Sequence, residues 1–288
     1  MKKVYKSKDS EKALIKLYDN QLARLNIGFE DLYVETRFGL SHVIKAGNKE
    51  GKPVLLFHGG NSTAPYYLAG FSDLLEHFCI YTVDTIGHPG KSAQTVLSAK
   101  TMDYGVWASD VITALKFEKI CCIGGSYGGG VLVKLMCVSP EKVEKSILIV
   151  PSGISNVSTF NVIVNMGIPM MMYIITKNEY WLRKTVLLMA MDEKNIDDNT
   201  YEMVKCSFEN AVIKAGLPSN VPHDELRRFT APTLMIAAEN DCLFPGEKVI
   251  NKATALLPNL KTVLLHGQGH LCVLPNNIMK RIVDFISE

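Results

Sequence analysis

The sequence predicts an α/β fold with a mostly parallel sheet, and three observations support this prediction. Short apolar runs alternate with helical patterns along most of the 288 residues. The runs are continuously apolar, which indicates strands that are buried on both faces of a sheet. Strands that alternate with helices favour a parallel sheet with right-handed crossovers. The composition agrees, because 47% hydrophobic and 21% charged residues are ordinary for a globular protein.

The elements follow in order along the chain. A helix is expected at about 9–25, followed by two strands that form an antiparallel start, DLYVETRF and SHVIKAG. Six further strands are expected at 54–59, 79–84, 119–125, 145–153, 232–241 and 261–269. The helices of the alternating part are expected at about 66–77, 102–117, 127–138, 246–257 and 273–287.

One region, at about 154–228, breaks this alternation. It contains no convincing strand and is rich in methionine and aromatic residues. We expect a helical cap, inserted after the sixth strand, over the carboxyl edge of the sheet, where open α/β folds bind ligands. The core would then comprise 1–153 and 229–288. The methionines suit either a plain helical core or an adaptable apolar pocket wall.

Composition and motifs exclude several classes of function. A net charge of +2 gives no reason to expect nucleic acid as a partner. Seven cysteines without a C-x-x-C pair indicate reduced thiols and a cytoplasmic protein, and the N-terminus lacks the apolar run of a signal peptide. The apolar stretch 160–176 is shorter than the ~20 residues of a membrane span. A phosphate loop ending in Lys91-Ser92 would need glycine where Thr85 stands.

A serine among glycines follows the third of the six later strands. The stretch GGSYG at 124–128 matches G-x-S-x-G and lies where a strand ends and a helix begins, which is the context of a nucleophile elbow. Such a turn strains the serine backbone and leaves room only for very small residues at Gly124 and Gly128. The N-terminus of the following helix favours negative charge near the Ser126 hydroxyl.

A serine nucleophile needs a base that is held by an acid. The strand TLMIAAEND leads to Asp241, and the next strand leads through GQG to His270. Because these are neighbouring strand ends, we predict that Ser126, Asp241 and His270 form a catalytic triad. Glu239 remains a rival acid and His266 a rival base, and Asp241 could instead cap a helix. Three further histidines lie in surface-like contexts: His42, His77 and His223.

The oxyanion of an acyl-transfer reaction needs two N–H donors. The strand ending LLFHGGNS turns through glycines, so a backbone N–H can face the serine. We predict the N–H groups of Gly60 and Tyr127 as donors, with Asn61 as the alternative to Gly60. His58 is expected to hold this loop rather than to react.

The chain resembles the α/β-hydrolase superfamily in motifs that occur in order between about 55 and 275: His58-Gly59-Gly60, Asp84, GHPGKS at 87–92, Ser126, Asp241 and Gly269-His270. The opening YDNQLARLNIGFEDLYVETRFGLSHVIKAG is similar to that of small bacterial carboxylesterase-like hydrolases. The resemblance implies an eight-stranded, mostly parallel sheet with a helical cap after strand six. The loop GHPGKS departs from the G-x-G-x-S of many relatives.

These observations favour a serine hydrolase that cleaves carboxylic esters of small hydrophobic substrates through an acyl-enzyme, with no metal or organic cofactor. HGG with GGSYGG is also similar to proline iminopeptidase-like members, although their GGSWGG and HGGPG differ here. An amidase of that kind, or a slow ligand-sensing protein on the same fold, is the alternative.

Overall fold

A computed structural model describes residues 3–157, 163–212 and 216–288. It contains one mostly parallel sheet, which confirms the predicted fold class. The strands are β1 Phe29–Thr36, β2 Gly39–Gly47, β3 Pro53–Phe57, β4 Cys79–Val83, β5 Ile120–Gly125, β6 Val143–Ile149, β7 Thr233–Ala238 and β8 Leu260–Leu265. Their order is β1-β2-β4-β3-β5-β6-β7-β8. β2 pairs antiparallel with β1 and β4, and every later pair is parallel.

Helices connect the strands on both sides of the sheet. The α-helices of the described residues are α1 Lys8–Arg24, α2 Ala64–Ala69, α3 Asp103–Ala114, α4 Tyr127–Val138, α5 Ile168–Thr176, α6 Glu179–Ala190, α7 Asp198–Asn210, α8 His223–Leu226, α9 Gly246–Thr254 and α10 Asn276–Ser287. The single helix predicted at 66–77 is wrong, because α2 ends at Ala69 and a separate 3₁₀ turn follows at Ser72–Glu76.

Successive side chains of the central strands enter opposite layers of the core. In β5, Cys122 packs in one layer with Trp107 of α3, whereas Cys121 and Ile123 pack in the other with Ile282 of α10. All four β5 side chains from Ile120 to Ile123 are buried. Burial on both faces is why the strands read as continuous apolar runs.

Of the residues described between β6 and β7, in the region that lacks strands by sequence, α5 to α8 are α-helices. Part of the predicted cap, 158–162 and 213–215, lies outside the described residues. Met170 and Tyr173 of α5 pack with Leu182 and Val186 of α6 in a small separate cluster, which Leu271 also joins. Within the residues described, no helix has the length and apolar character needed to cross a membrane.

Candidate active site

The turn between β5 and α4 has the geometry of a nucleophile elbow. Ser126 has φ 51° and ψ −115°, a conformation that L-residues rarely adopt. A Cβ at Gly124 would lie 2.6 Å from the carbonyl oxygen of Gly128, and a Cβ at Gly128 would lie 2.0 Å from that of Phe57. The turn therefore needs glycine at both positions that the sequence motif specifies.

Backbone and side-chain contacts hold the serine in this strained conformation. The Ser126 N–H donates to the carbonyl oxygen of Ile149 at 2.9 Å. The Ser126 carbonyl accepts from the Ser152 N–H at 3.1 Å and from the Ser152 Oγ at 3.0 Å. Ser152 follows β6, in the PSG turn, and sequence reasoning missed it because a serine in a turn carries no specific signal.

The three predicted triad residues form a continuous hydrogen-bonded chain. The distance from Ser126 Oγ to His270 Nε2 is 2.8 Å, and His270 Nδ1 lies 2.9 Å from Asp241 Oδ2. The Asp241 and His270 side chains are buried, at 0% and 5% exposure. With a carboxylate facing Nδ1, that nitrogen carries the proton, and Nε2 is free to accept from the serine hydroxyl.

The second oxygen of Asp241 fixes the carboxylate itself. Oδ1 accepts from the N–H groups of Leu243 at 2.8 Å and Phe244 at 2.9 Å. The Phe244 ring also packs edge-on against His270, with centroids 5.3 Å apart. Helix α9 begins later, after Pro245, so the turn that Asp241 organises precedes the helix and leaves Oδ2 for the histidine.

The rival acid and base lie against each other rather than at the serine. His266 Nδ1 is 3.4 Å from Glu239 Oε1, and both side chains are exposed. Two thiols close to Asp241 are poor nucleophiles, because burial and the Asp241 carboxylate raise the pKa of Cys242 and of Cys272 to about 12.

The glycine turn after β3 lies beside the serine. A Cβ built on Gly59 would lie 3.7 Å from the Ser126 Cβ, and one on Gly60 would lie 3.2 Å from the Tyr127 Cβ. Tyr127 opens α4, so its N–H has no acceptor within the helix. The alternative donor, Asn61, is engaged elsewhere, because its N–H donates to His88 Nδ1 at 3.3 Å.

Two buried histidines connect this turn with the loop after β4. His58 Nε2 accepts from the Thr85 N–H at 2.9 Å, in agreement with its expected structural role, and burial lowers its pKa. The His88 ring, besides accepting from Asn61, packs against Tyr127 with centroids 4.5 Å apart. Sequence reasoning missed His88, although it lies in the GHPGKS stretch that departs from the usual motif.

The expectation that His42 lies in a surface-like context is wrong. It is fully buried, with Nδ1 2.8 Å from Asp84 Oδ2 and Nε2 2.7 Å from Asp31 Oδ1. Burial lowers the pKa of His42, but the hydrogen bonds and charges of the two carboxylates outweigh it, so the net shift is upward. The Tyr18 hydroxyl, on α1, lies 3.2 Å from Nδ1. A side chain of α1, 24 residues earlier in the chain, therefore covers this strand position.

Comparison with known proteins agrees with the fold. A family model for the alpha/beta hydrolase fold matches residues 52–187. Carboxylesterase YbfK of Bacillus subtilis is 26% identical over 278 residues, which cover 93% of this chain and 92% of that protein. The crystal structure of naproxen esterase (carboxylesterase NP) from Bacillus subtilis has a TM-score of 0.84 at 21% identity, covering 97% of this chain and 99% of that chain. Carboxylesterase CesB (YbfK) has a TM-score of 0.80 at 22% identity, covering 96% and 98%.

The sheet order, the strained serine turn and the family match over residues 52–187 show that the chain has the α/β-hydrolase fold. Over nearly its whole length it resembles bacterial carboxylesterases, which agrees with the resemblance noted in its opening stretch.

Proposed function

We propose that this chain is a serine carboxylesterase that forms an acyl-enzyme on Ser126. The observation that carries the proposal is the unbroken hydrogen-bonded chain from Ser126 through His270 to Asp241. His270 Nε2 takes the proton of the serine hydroxyl as the oxygen attacks the ester carbonyl. Asp241 keeps the proton of the imidazole on Nδ1 and stabilises the imidazolium that forms.

The N–H groups of Gly60 and Tyr127 stabilise the oxyanion of the tetrahedral intermediate in this proposal. The loss of one such donor typically costs about 2.7–4 kcal/mol of transition-state stabilisation. His270 then returns its proton to the leaving alcohol, and a water molecule that His270 deprotonates cleaves the acyl-serine. The residues involved need neither a metal nor an organic cofactor for these steps.

We also propose that residues 154–228 form a cap over the site and favour hydrophobic substrates. In support, the end of α6 adjoins the loop of His270, because the Leu271 N–H donates to the Met189 carbonyl oxygen at 2.9 Å. A Cβ on Gly269 would lie 2.8 Å from Met191 Cγ. Methionine side chains at this edge suit an apolar, adaptable pocket wall.

Labelling with a fluorophosphonate, together with turnover of p-nitrophenyl esters of increasing acyl length, tests the proposal. Wild type should label at one site and hydrolyse at least one ester, and Ser126→Ala should lose at least about 10⁴-fold in kcat. His266→Ala removes an exposed histidine of the neighbouring loop and should leave both readouts unchanged. Folded wild type that neither labels nor turns over any ester would refute the proposal. Labelling with turnover only of prolyl p-nitroanilide would instead indicate the amidase.

A further inference from the structure

The helices α5 and α6 form a hairpin whose two faces differ in burial. They are joined by Lys177 and Asn178, and we call 168–191 the cap hairpin, which includes Met191 at the end of α6. Met170 and Tyr173 of α5 and Leu182 and Val186 of α6 are buried in one shared cluster. Because both helices pack inward on this cluster, their opposite faces lie together on the outer side of the cap hairpin.

The outer face of α5 is apolar and exposed. Ile168, Met171 and Ile175 follow the i, i+3, i+7 spacing of one helix face, and they are 45%, 52% and 68% exposed. Val164, in the preceding turn, is exposed as well. The inner face is also apolar, so α5 is hydrophobic all round, which is typical of a helix that is covered on both sides.

The outer face of α6 continues this surface. Tyr180 and Leu187 are exposed seven residues apart on α6, with Lys184 between them, and Met191, which follows the helix, is exposed as well. Met191 contacts the Gly269 position beside His270. The apolar surface of the cap hairpin therefore extends to the loop that carries the proposed catalytic base.

The cap hairpin carries more exposed cations than carboxylates. Lys177, Arg183 and Lys184 are exposed and form no ion pair within the described part of the chain. Glu179, which is the carboxylate of the cap hairpin, is bound by Lys205 of α7. An apolar face with a cationic rim complements a surface that is apolar inside and anionic outside.

A second copy of the chain fits this surface less well. In a two-fold dimer the same patch faces itself, so Lys184 of each copy would approach cations of the other. Neither helix carries a carboxylate on its outer face to offset them. Tyr180 and Trp181, whose ring centroids are 5.2 Å apart, are residues that prefer the headgroup level of a bilayer.

We infer that the outer face of the cap hairpin docks on an anionic phospholipid surface, lying on the bilayer and not crossing it. Ile168, Met171 and Ile175 enter the acyl boundary, and Lys184 meets lipid phosphates. The inference does not depend on catalysis by Ser126, because it rests only on exposure, spacing and charge in the cap hairpin.

Co-sedimentation with vesicles tests this inference directly. Wild type should bind vesicles of mixed phosphatidylcholine and phosphatidylglycerol more tightly than pure phosphatidylcholine, and salt should weaken the difference. Met171→Glu with Ile175→Glu should lower the partition coefficient roughly tenfold or more, since charge is costly in the acyl boundary. Lys184→Gln should reduce only the preference for the anionic vesicles.

The matched control is Phe29→Glu with Leu40→Glu, which changes two similarly exposed apolar residues on β1 and β2, outside the cap hairpin. Its binding should equal that of wild type. Thermal melting and fluorophosphonate labelling in solution show whether each variant is folded, independently of lipid, and Met171→Ser with Ile175→Ser serves if the charged pair melts early. Wild type that does not sediment with anionic vesicles, or a cap-hairpin variant that binds as wild type does, overturns the inference. So does a dimer in ultracentrifugation that the same substitutions dissociate.

Discussion

Replacement of Asp241 by asparagine tests the proposed triad at a single atom. Oδ1 of Asp241 accepts from two backbone N–H groups, at 2.8 and 2.9 Å, whereas Oδ2 faces His270 Nδ1 at 2.9 Å. In Asp241→Asn, the amide oxygen must stay at the Oδ1 position, because an NH₂ group there would face two donors. The NH₂ group therefore faces Nδ1.

This orientation inverts the tautomer of the histidine. Nδ1 of His270 must then accept, so the ring proton moves to Nε2, which faces Ser126 Oγ and can no longer accept the serine proton. The expected loss in kcat is about 10⁴-fold, or about 5.5 kcal/mol, the size seen when a triad aspartate elsewhere becomes asparagine. Because Oδ1 keeps its two donors, the melting temperature should change by no more than about 2 °C.

Steady-state hydrolysis of the best p-nitrophenyl ester measures the effect, with thermal melting of the same samples. Glu239→Gln is the matched control, because it makes the same chemical change at the rival carboxylate, and it should keep full activity. An Asp241→Asn variant within tenfold of wild-type kcat would refute the tautomer argument and with it the role of Asp241.

Three further predictions concern buried polar side chains. His88→Phe keeps an aromatic ring beside Tyr127 but removes the acceptor of the Asn61 N–H. We expect kcat to fall about tenfold with KM little changed, and a kcat equal to that of wild type would contradict this prediction. Burial lowers the pKa of Lys134 from 10.5 to about 8. Between these two pH values, the unfolded chain therefore binds more protons than the folded chain does. In urea unfolding, the free energy of unfolding of wild type should rise by up to about 3 kcal/mol relative to Lys134→Met as the pH rises through this range. A difference in this free energy that does not change with pH would refute the prediction. Because the pKa of His42 is raised in the folded chain, its protonation stabilises the fold. This stabilisation is fully present below the ordinary pKa of histidine and is lost as the pH rises through the raised pKa. The difference in free energy of unfolding between wild type and His42→Gln should therefore shrink as the pH rises. A difference that widens would show that Asp84 does not stabilise the imidazolium of His42.

Local sequence predicted the sheet well and its strand ends poorly. β6 ends at Ile149 although its apolar run continues into the PSG turn, and β7 ends at Ala238, before the predicted 241. Val150 adopts φ 41°, which stops the ladder although valine favours strands. The residues beyond these ends are those that hold or face the serine, so the tertiary requirements of the turn override the local preference for strand.

The hydrogen-bonded arrangement of Ser126, His270 and Asp241 could be predicted because chain order and strand ends restrict the candidates. The environment of His42 could not, because it depends on side chains from three other elements or loops, Tyr18, Asp31 and Asp84. The exposed face of the cap hairpin was also not foreseeable. A continuous run such as IPMMMYIIT has no polar side that could mark the surface, and the net charge of +2 does not reveal a local cationic rim.

The unusual loop after β4 can be explained by what it holds. The loop is bound to the glycine turn after β3 at two points, through Thr85 to His58 and through His88 of the GHPGKS stretch to Asn61. Gly60 lies between these two attachments, in a turn whose glycines leave the backbone free to move. A hydrogen-bond donor stabilises an oxyanion most when it is already fixed in place. His88 holds this turn through a side-chain hydrogen bond, which a glycine at the same position could not form. The departure from G-x-G-x-S is therefore consistent with an active hydrolase.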